Sequence, residues 1–331
     1  LTIVYQLSGI LPEDAFAYTT LEVDDAGGVA RVTLRGTLDG RPDVRIATRY
    51  ELGPCDPGLR VRSELFNGSA DAQAFMIADT THWGKRRVAP FVPADRQGYE
   101  QPELDLVELT SLWTPYNYSA GATPSGGSPG YGAIACNERD ISGVNDPEIS
   151  ALGTAMTLVE PGDTLVLERL LVTAGSGQGP APAIDALLAA RTQLFSTATS
   201  TIAGRVVAGG MPFGGDVRRA SVFVRSDGRP VTAIVPALDG TFTATVPAGA
   251  ITVEVWSFGR KLAEVVADGS DVGDVEVPLP ATAQIAISRP GGSGEPSIPI
   301  HGLVAFHPAD DATRAAVTGN FHGRFGECAP W

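Results

Sequence analysis

Lysine is almost missing from this chain: of its 24 cationic residues only Lys85 and Lys261 are not arginine. The arginines are scattered, and the longest cationic run is the triplet Lys85, Arg86, Arg87. With a formal charge of -14 the chain repels phosphate backbones and anionic lipid heads, so nucleic acid is not an expected partner. Long apolar runs are lacking too. No stretch reaches the ~18 residues of a membrane-crossing helix, so no transmembrane segment is expected. The chain begins at Leu1, which reads as a processed or truncated start. Three cysteines, Cys55, Cys136 and Cys328, include no CxxC pair, which excludes thiolate metal spacing. Acidic, lysine-poor, turn-rich β chains are common outside the cytoplasm, so a Cys55–Cys136 disulfide is the expectation, with Cys328 left over.

Histidine is equally sparse. His82, His301, His307 and His322 form no HxH, HExxH or HxxxH pattern. His301 and His307 on one strand would stand ~20 Å apart, too far to share an ion. All four are read as structural or surface residues, and no cofactor is expected in this chain. "GGSPG" lacks the apolar strand that must precede a nucleophile elbow, and no glycine-rich string joins a strand to a helix as a dinucleotide site requires.

What is present is turn-rich and β-forming. Apolar residues make up 43% and charged residues 19% of 331, and 39 Gly with 25 Pro punctuate the chain at strand-length intervals. That length suits two or three domains. From Tyr18 to Asn67 four segments alternate with period two: in "RVTLRG", Val32 and Leu34 oppose Arg31, Thr33 and Arg35. Short turns between them predict an antiparallel meander. "APAIDALLAARTQLF" carries Ile184, Leu187, Leu188, Leu194 and Phe195 at helical spacing and predicts a helix closing the first domain. From Thr201 seven short strands follow in some eighty residues, the arithmetic of an immunoglobulin-like sandwich. There Val246, Ile251, Val253 and Val255 are expected to face the core, after a hairpin at Asp239 and Gly240. Residues 281–331 offer two strands and a polar tail, too little to enclose a core alone.

Candidate chemistry gathers around the irregular stretch between two strand-rich parts. In "ADTTHWG", Asp79 and His82 are close enough in sequence for a carboxylate to orient an imidazole. Trp83, Phe91, Tyr99, Trp113, Tyr116 and Tyr118 are concentrated in and beside this stretch. Two readings stay open for them: a binding cleft, in which rings stack on a sugar, or the packing of a long loop. Glu103, Asp105 and Glu108 are candidates for a glycosidase, but the alternating pair Glu103 and Asp105 fits the solvated face of a strand better. The acidic turns "VDDAGG" and "DGSDVGD" lack EF-hand spacing and read as ordinary turns.

The order of parts is itself informative. "TRYELGPCDPGLRVRSELFNGSADAQAFMIADTTHWG", "FVPADRQGY" and "PGDTLVLERLLVTAG" resemble the N-terminal super-sandwich region of secreted, carbaryl-hydrolase-like PHP-type metallohydrolases. "IAGRVV", "ASVFVRSDGRPV" and "DGTFTATVPAGAITVEVWSFGR" resemble a carboxypeptidase-regulatory-like β-sandwich. The resemblance implies a mainly β chain: a large antiparallel, galactose-mutarotase-like super-sandwich over 1–198, an immunoglobulin-like β-sandwich over 199–280, and a partial third β module over 281–331. It also implies an extracytoplasmic, non-catalytic accessory portion of a metallohydrolase. The divalent metal would then sit in a catalytic domain outside this chain, because the family's HxH-type cluster has no counterpart here. A missing catalytic domain or second chain and a polysaccharide are the expected partners. A carbohydrate or cell-surface binding module and a structural subunit of a surface layer or filament are the alternatives.

Overall fold

The computed structural model describes residues 16–83, 88–93, 118–123, 129–136, 141–145, 149–177, 179–215, 220–257 and 260–278. In chain order the first part contains β1 (Phe16–Asp24), β2 (Ala30–Leu38), β3 (Arg41–Leu52), β4 (Leu59–Asn67), β5 (Gln73–Phe75), β6 (Ala78–His82) and β7 (Ala89–Phe91). It continues with β8 (Tyr118–Ala122), β9 (Pro129–Ala135), β10 (Ile141–Asn145), β11 (Ile149–Thr154), β12 (Thr157–Val159), β13 (Thr164–Ser176) and the helix α1 (Ala181–Phe195). The second part holds β14 (Thr199–Ala208), β15 (Met211–Pro212), β16 (Ser221–Ser226), β17 (Arg229–Ile234), β18 (Thr241–Pro247), β19 (Ile251–Ser257), β20 (Arg260–Val266) and β21 (Asp271–Val277).

The chain is mainly β, as its alternating sequence requires. The expected meander is present: β1, β2, β3 and β4 pair antiparallel in sequence order and continue through β13, β9, β8 and β7 as one eight-stranded sheet. A bulge between Tyr18 and Thr20 restores the alternation, so that Leu21 and Val23 lie on the same face as Leu34 and Val32. On the inner face Val44, Ile46, Val61, Leu65 and Leu167 are buried. Two small sheets, β10-β11-β6 and β12-β5, supply Phe75, Leu152 and Val159 to the same core, and the link between β5 and β6 adds Ile77.

The second sandwich stacks β15-β14-β18, with β21 parallel to β14, on β17-β16-β19-β20. Val246, Ile251, Val253 and Val255 face its core as the alternation requires. The Asp239–Gly240 turn corrects one expectation. It joins β17 of one sheet to β18 of the other, so it closes a crossover instead of a hairpin. Gly240 adopts φ +81°, and Asp239 caps the turn by accepting the Thr241 amide at 3.0 Å.

Helix α1 does more than close the first sandwich. Ile184, Leu187 and Leu188 are fully buried, and one apolar cluster runs from Phe91, Tyr118 and Ile134 through them to Val222, Phe242 and Val253. Gly132 permits the approach, because a Cβ there would stand 2.7 Å from Leu187 Cδ1. Across the same seam Tyr118 Oη donates to the Val231 carbonyl at 2.5 Å. The two sandwiches therefore share a continuous interior.

Candidate functional site

Asp79, the carboxylate expected beside His82, has another partner. Arg169 of β13, only 1% exposed, donates from Nη2 to Asp79 Oδ1 at 2.8 Å and from Nε to Oδ2. Its Nη1 also donates to Ser63 Oγ at 2.9 Å, and Ser63 is hydrogen-bonded to Thr48. Burial pushes the Asp79 carboxyl above its ordinary value and outweighs the pull of the Arg169 charge. Asp79 thus forms a buried clamp with Arg169 between β6 and the large sheet, and the His82 side chain lies outside the described residues.

The aromatic residues divide. Trp83 is buried and donates from Nε1 to Ser150 Oγ at 2.7 Å, while its ring lies against Gly121. Phe91 and Tyr118 stack at 6.4 Å between ring centroids in the shared core. These three rings have no face open to a sugar, so for them loop and core packing replaces the cleft reading. Tyr99, Trp113 and Tyr116 lie outside the described residues, as do His301, His307 and His322.

The two described cysteines are free. Cys55 is exposed in the turn between β3 and β4, whereas Cys136 follows β9 and donates its backbone amide to the Glu168 carbonyl at 2.7 Å. Strands β13 and β4 separate the two positions laterally, about 10 Å, and Cys55 lies further along the strand direction. A disulfide needs Cα atoms within about 7 Å, so the expected bridge has no geometry to form. Burial, then the nearby Glu168 carboxylate, pushes the Cys136 thiol up to about 11.

A different surface collects charge. On the outer face of β1 to β4 the register aligns side chains in rows across the strands. One row runs Asp24, Arg31, Glu51, Arg60; the next runs Glu22, Thr33, Arg49, Arg62, Glu168; a third runs Arg35, Ala47, Glu64. Arg31 binds Glu51 at 3.0 Å and Asp24 at 3.2 Å, and Arg62 binds Glu64 at 2.7 Å and Glu168 at 3.3 Å. Arg35 and Arg49 are held more loosely, 3.5 Å from Glu22 and 3.7 Å from Glu51. Ala47 is the short side chain among these long ones. Over it and Thr33 lies a depression of about 280 Å³, walled by Arg31, Arg35, Arg49, Arg62, Glu22, Asp24 and Glu64. The period-two sequence places each of these residues on one face of its strand, but only the cross-strand register brings them together.

Among the described residues no three His, Cys, Asp or Glu side chains converge as a metal site, and no helix is long and apolar enough to cross a membrane. The donor set of a PHP metal centre therefore has no match there, and no metal chemistry is assigned to these residues.

No protein-family model matches the chain, and no curated protein is detectably similar to it in sequence. Solved structures overlap parts of it weakly. A putative aldose 1-epimerase from Klebsiella pneumoniae superposes with TM-score 0.35 at 11% identity, over 53% of this chain and 57% of that one. A GH36 alpha-galactosidase from Geobacillus stearothermophilus gives TM-score 0.39 at 8% identity over 58% of this chain. A TPR-domain containing protein from Parabacteroides distasonis gives 0.34 at 14% identity over 46%. This chain spans 32% of the galactosidase and 34% of the TPR protein. Likeness at this level carries no argument about activity or ligand.

Proposed function

We propose that the chain is a non-catalytic accessory scaffold whose outer β1–β4 face binds carbohydrate, within an extracytoplasmic protein of the PHP-type metallohydrolase kind that its sequence resembles. The observation that carries the carbohydrate reading is the charged depression over Ala47. Sugar hydroxyls both donate and accept. The depression offers acceptor-only carboxylates at Glu22, Asp24 and Glu64 beside donor-only guanidiniums at Arg31, Arg35 and Arg62, all on paired strands. A multiply charged phosphate would meet three carboxylates there, and an apolar ligand would find a mostly polar wall. The rigidity of paired strands, tied to the second sandwich through α1, supports a presenting role.

The test is a glycan array and polysaccharide pull-down with the native chain and with Ala47→Trp, which fills the depression. Retention by the native chain, weakened at least tenfold in the variant, is expected. Equal retention of both proteins, or retention of neither, would remove the reading. The hydrolase context is tested separately, by the intact mass of the native protein and by assaying it for metal-dependent carbamate or phosphoester hydrolysis. Turnover by residues 1–331 alone would contradict the accessory role.

A second reading has its own observation. Among the described residues strand β1 ends the large sheet, and Leu21 and Val23 on it are 64% and 70% exposed. An apolar edge strand of this kind favours strand pairing between copies, the subunit of a layer or filament. Light scattering of the purified chain decides it, since a monomer across micromolar concentrations would exclude assembly.

A further inference from the structure

We infer that the depression over Ala47 prefers an acidic sugar, taking the carboxylate of a uronic acid residue between Arg35 and Arg49 while Thr33, Glu22 and Glu64 meet its hydroxyls. The inference rests on the carbohydrate reading above and adds the ligand class. Four arginines and three carboxylates line the depression, with Glu51 and Glu168 behind its wall, so the preference rests on the two arginines that are loosely held and not on a surplus of charge. Arg49 stands directly opposite Arg62 in the register, and Arg35, opposite Ala47, is the diagonal neighbour of Arg49. Like charges facing each other across strands repel, and an anion placed between them relieves that repulsion.

The acidic residues do not fully supply this anion. Arg62 is engaged by Glu64 and Glu168 within hydrogen-bonding distance, but Glu51 is 3.7 Å from Arg49 and Glu22 is 3.5 Å from Arg35. A guanidinium recognises a carboxylate through two parallel N–H donors, a geometry that Arg35 and Arg49 can offer from adjacent strands. The remaining carboxylates of the rim disfavour doubly charged groups and accept hydroxyls, so one negative charge on a hydroxylated ring fits the lining best.

Isothermal titration with a tetramer of α-1,4-linked galacturonate, and with the same tetramer fully methyl-esterified, tests the inference. Both probes carry the same ring hydroxyls, and only the first is charged. The acidic tetramer should bind about tenfold tighter at low ionic strength, and that preference should fall toward unity in 0.5 M salt. Arg49→Ala, a substitution at a half-exposed side chain, should erase the preference while leaving the melting temperature unchanged. Equal affinities, or a preference that survives Arg49→Ala, would overturn the inference. Displacement by inorganic sulfate at matched ionic strength would also overturn it, because the site would then read any oxyanion. If neutral oligosaccharides bind and respond to Ala47→Trp while the acidic preference is absent, only this inference fails; if no oligosaccharide binds, the carbohydrate reading fails with it.

Discussion

Replacing Asp185 by Asn should make the protein more stable at neutral pH and flatten its dependence on pH. Asp185 lies on α1, faces the second sandwich, and accepts the backbone amide of Thr245 at 2.8 Å. Burial raises its carboxyl to about 6, opposed only by the Thr245 bonds; no cation contributes. The elements around it explain why. Strand β18 carries no charged residue, nor do β8 and β9, and on β17 the only one is Arg229, at its far end; Glu168 and Arg169 of β13 and Arg191 of α1 itself do not contribute to the shift. The folded pKa therefore exceeds the unfolded value near 3.9, so between about pH 4 and 6 the folded state holds a proton that the unfolded chain has lost. Stability must fall as pH rises through that window and level off above it. Two pKa units correspond to about 2.7 kcal/mol, and partial solvent access reduces this to roughly 1–2 kcal/mol. Asn keeps the shape and can still accept the Thr245 amide, but it carries no charge to bury. Urea unfolding of both proteins from pH 4.5 to 8 isolates Asp185, since every other group is common to the pair. The expected difference is ~1–2 kcal/mol in favour of Asn at pH 7.5, shrinking toward zero or reversing at pH 4.5. Parallel pH curves, or a variant less stable at pH 7.5, would refute the argument.

Two further outcomes follow from the buried groups. Asp79→Ala leaves the Arg169 guanidinium buried without its carboxylate and should cost about 3 kcal/mol in urea unfolding, whereas Asp79→Leu with Arg169→Met together should cost less than the single change. A maleimide time course at pH 8, read by peptide mass, should label exposed Cys55 quickly. Cys136, with its thiol near 11, should react on the order of a hundredfold more slowly, and a recovered Cys55–Cys136 bridge would contradict the strand geometry.

Much of the architecture was legible because alternation is a direct readout of a half-buried strand. Arg60, Arg62 and Glu64 against Val61, Ser63 and Leu65 assign β4 and both its faces, and Ile184, Leu187 and Leu188 assign α1. Their partners were not legible. Burial of Arg169 depends on Asp79, ninety residues away, and nothing local in "LERLLV" distinguishes a core arginine from a solvated one. An aromatic-rich stretch reads the same for a stacking platform as for a packed interior. Trp83, Phe91 and Tyr118 are decided by β8, β11 and α1, which close over them. The Asp239–Gly240 turn shows the same limit: its residues specify a tight reversal but not which sheet receives the next strand. The charged depression arises only when register sets Arg35, Arg49 and Arg62 around Ala47, and register is a property of pairs of strands.

The most direct test of the central claim is hydrogen exchange of the native chain with and without a polysaccharide that it retains. The account predicts new protection in peptides covering β2, β3 and β4, centred on Ala47. Protection confined to peptides spanning residues 99–116, with β2 to β4 unchanged, would contradict it.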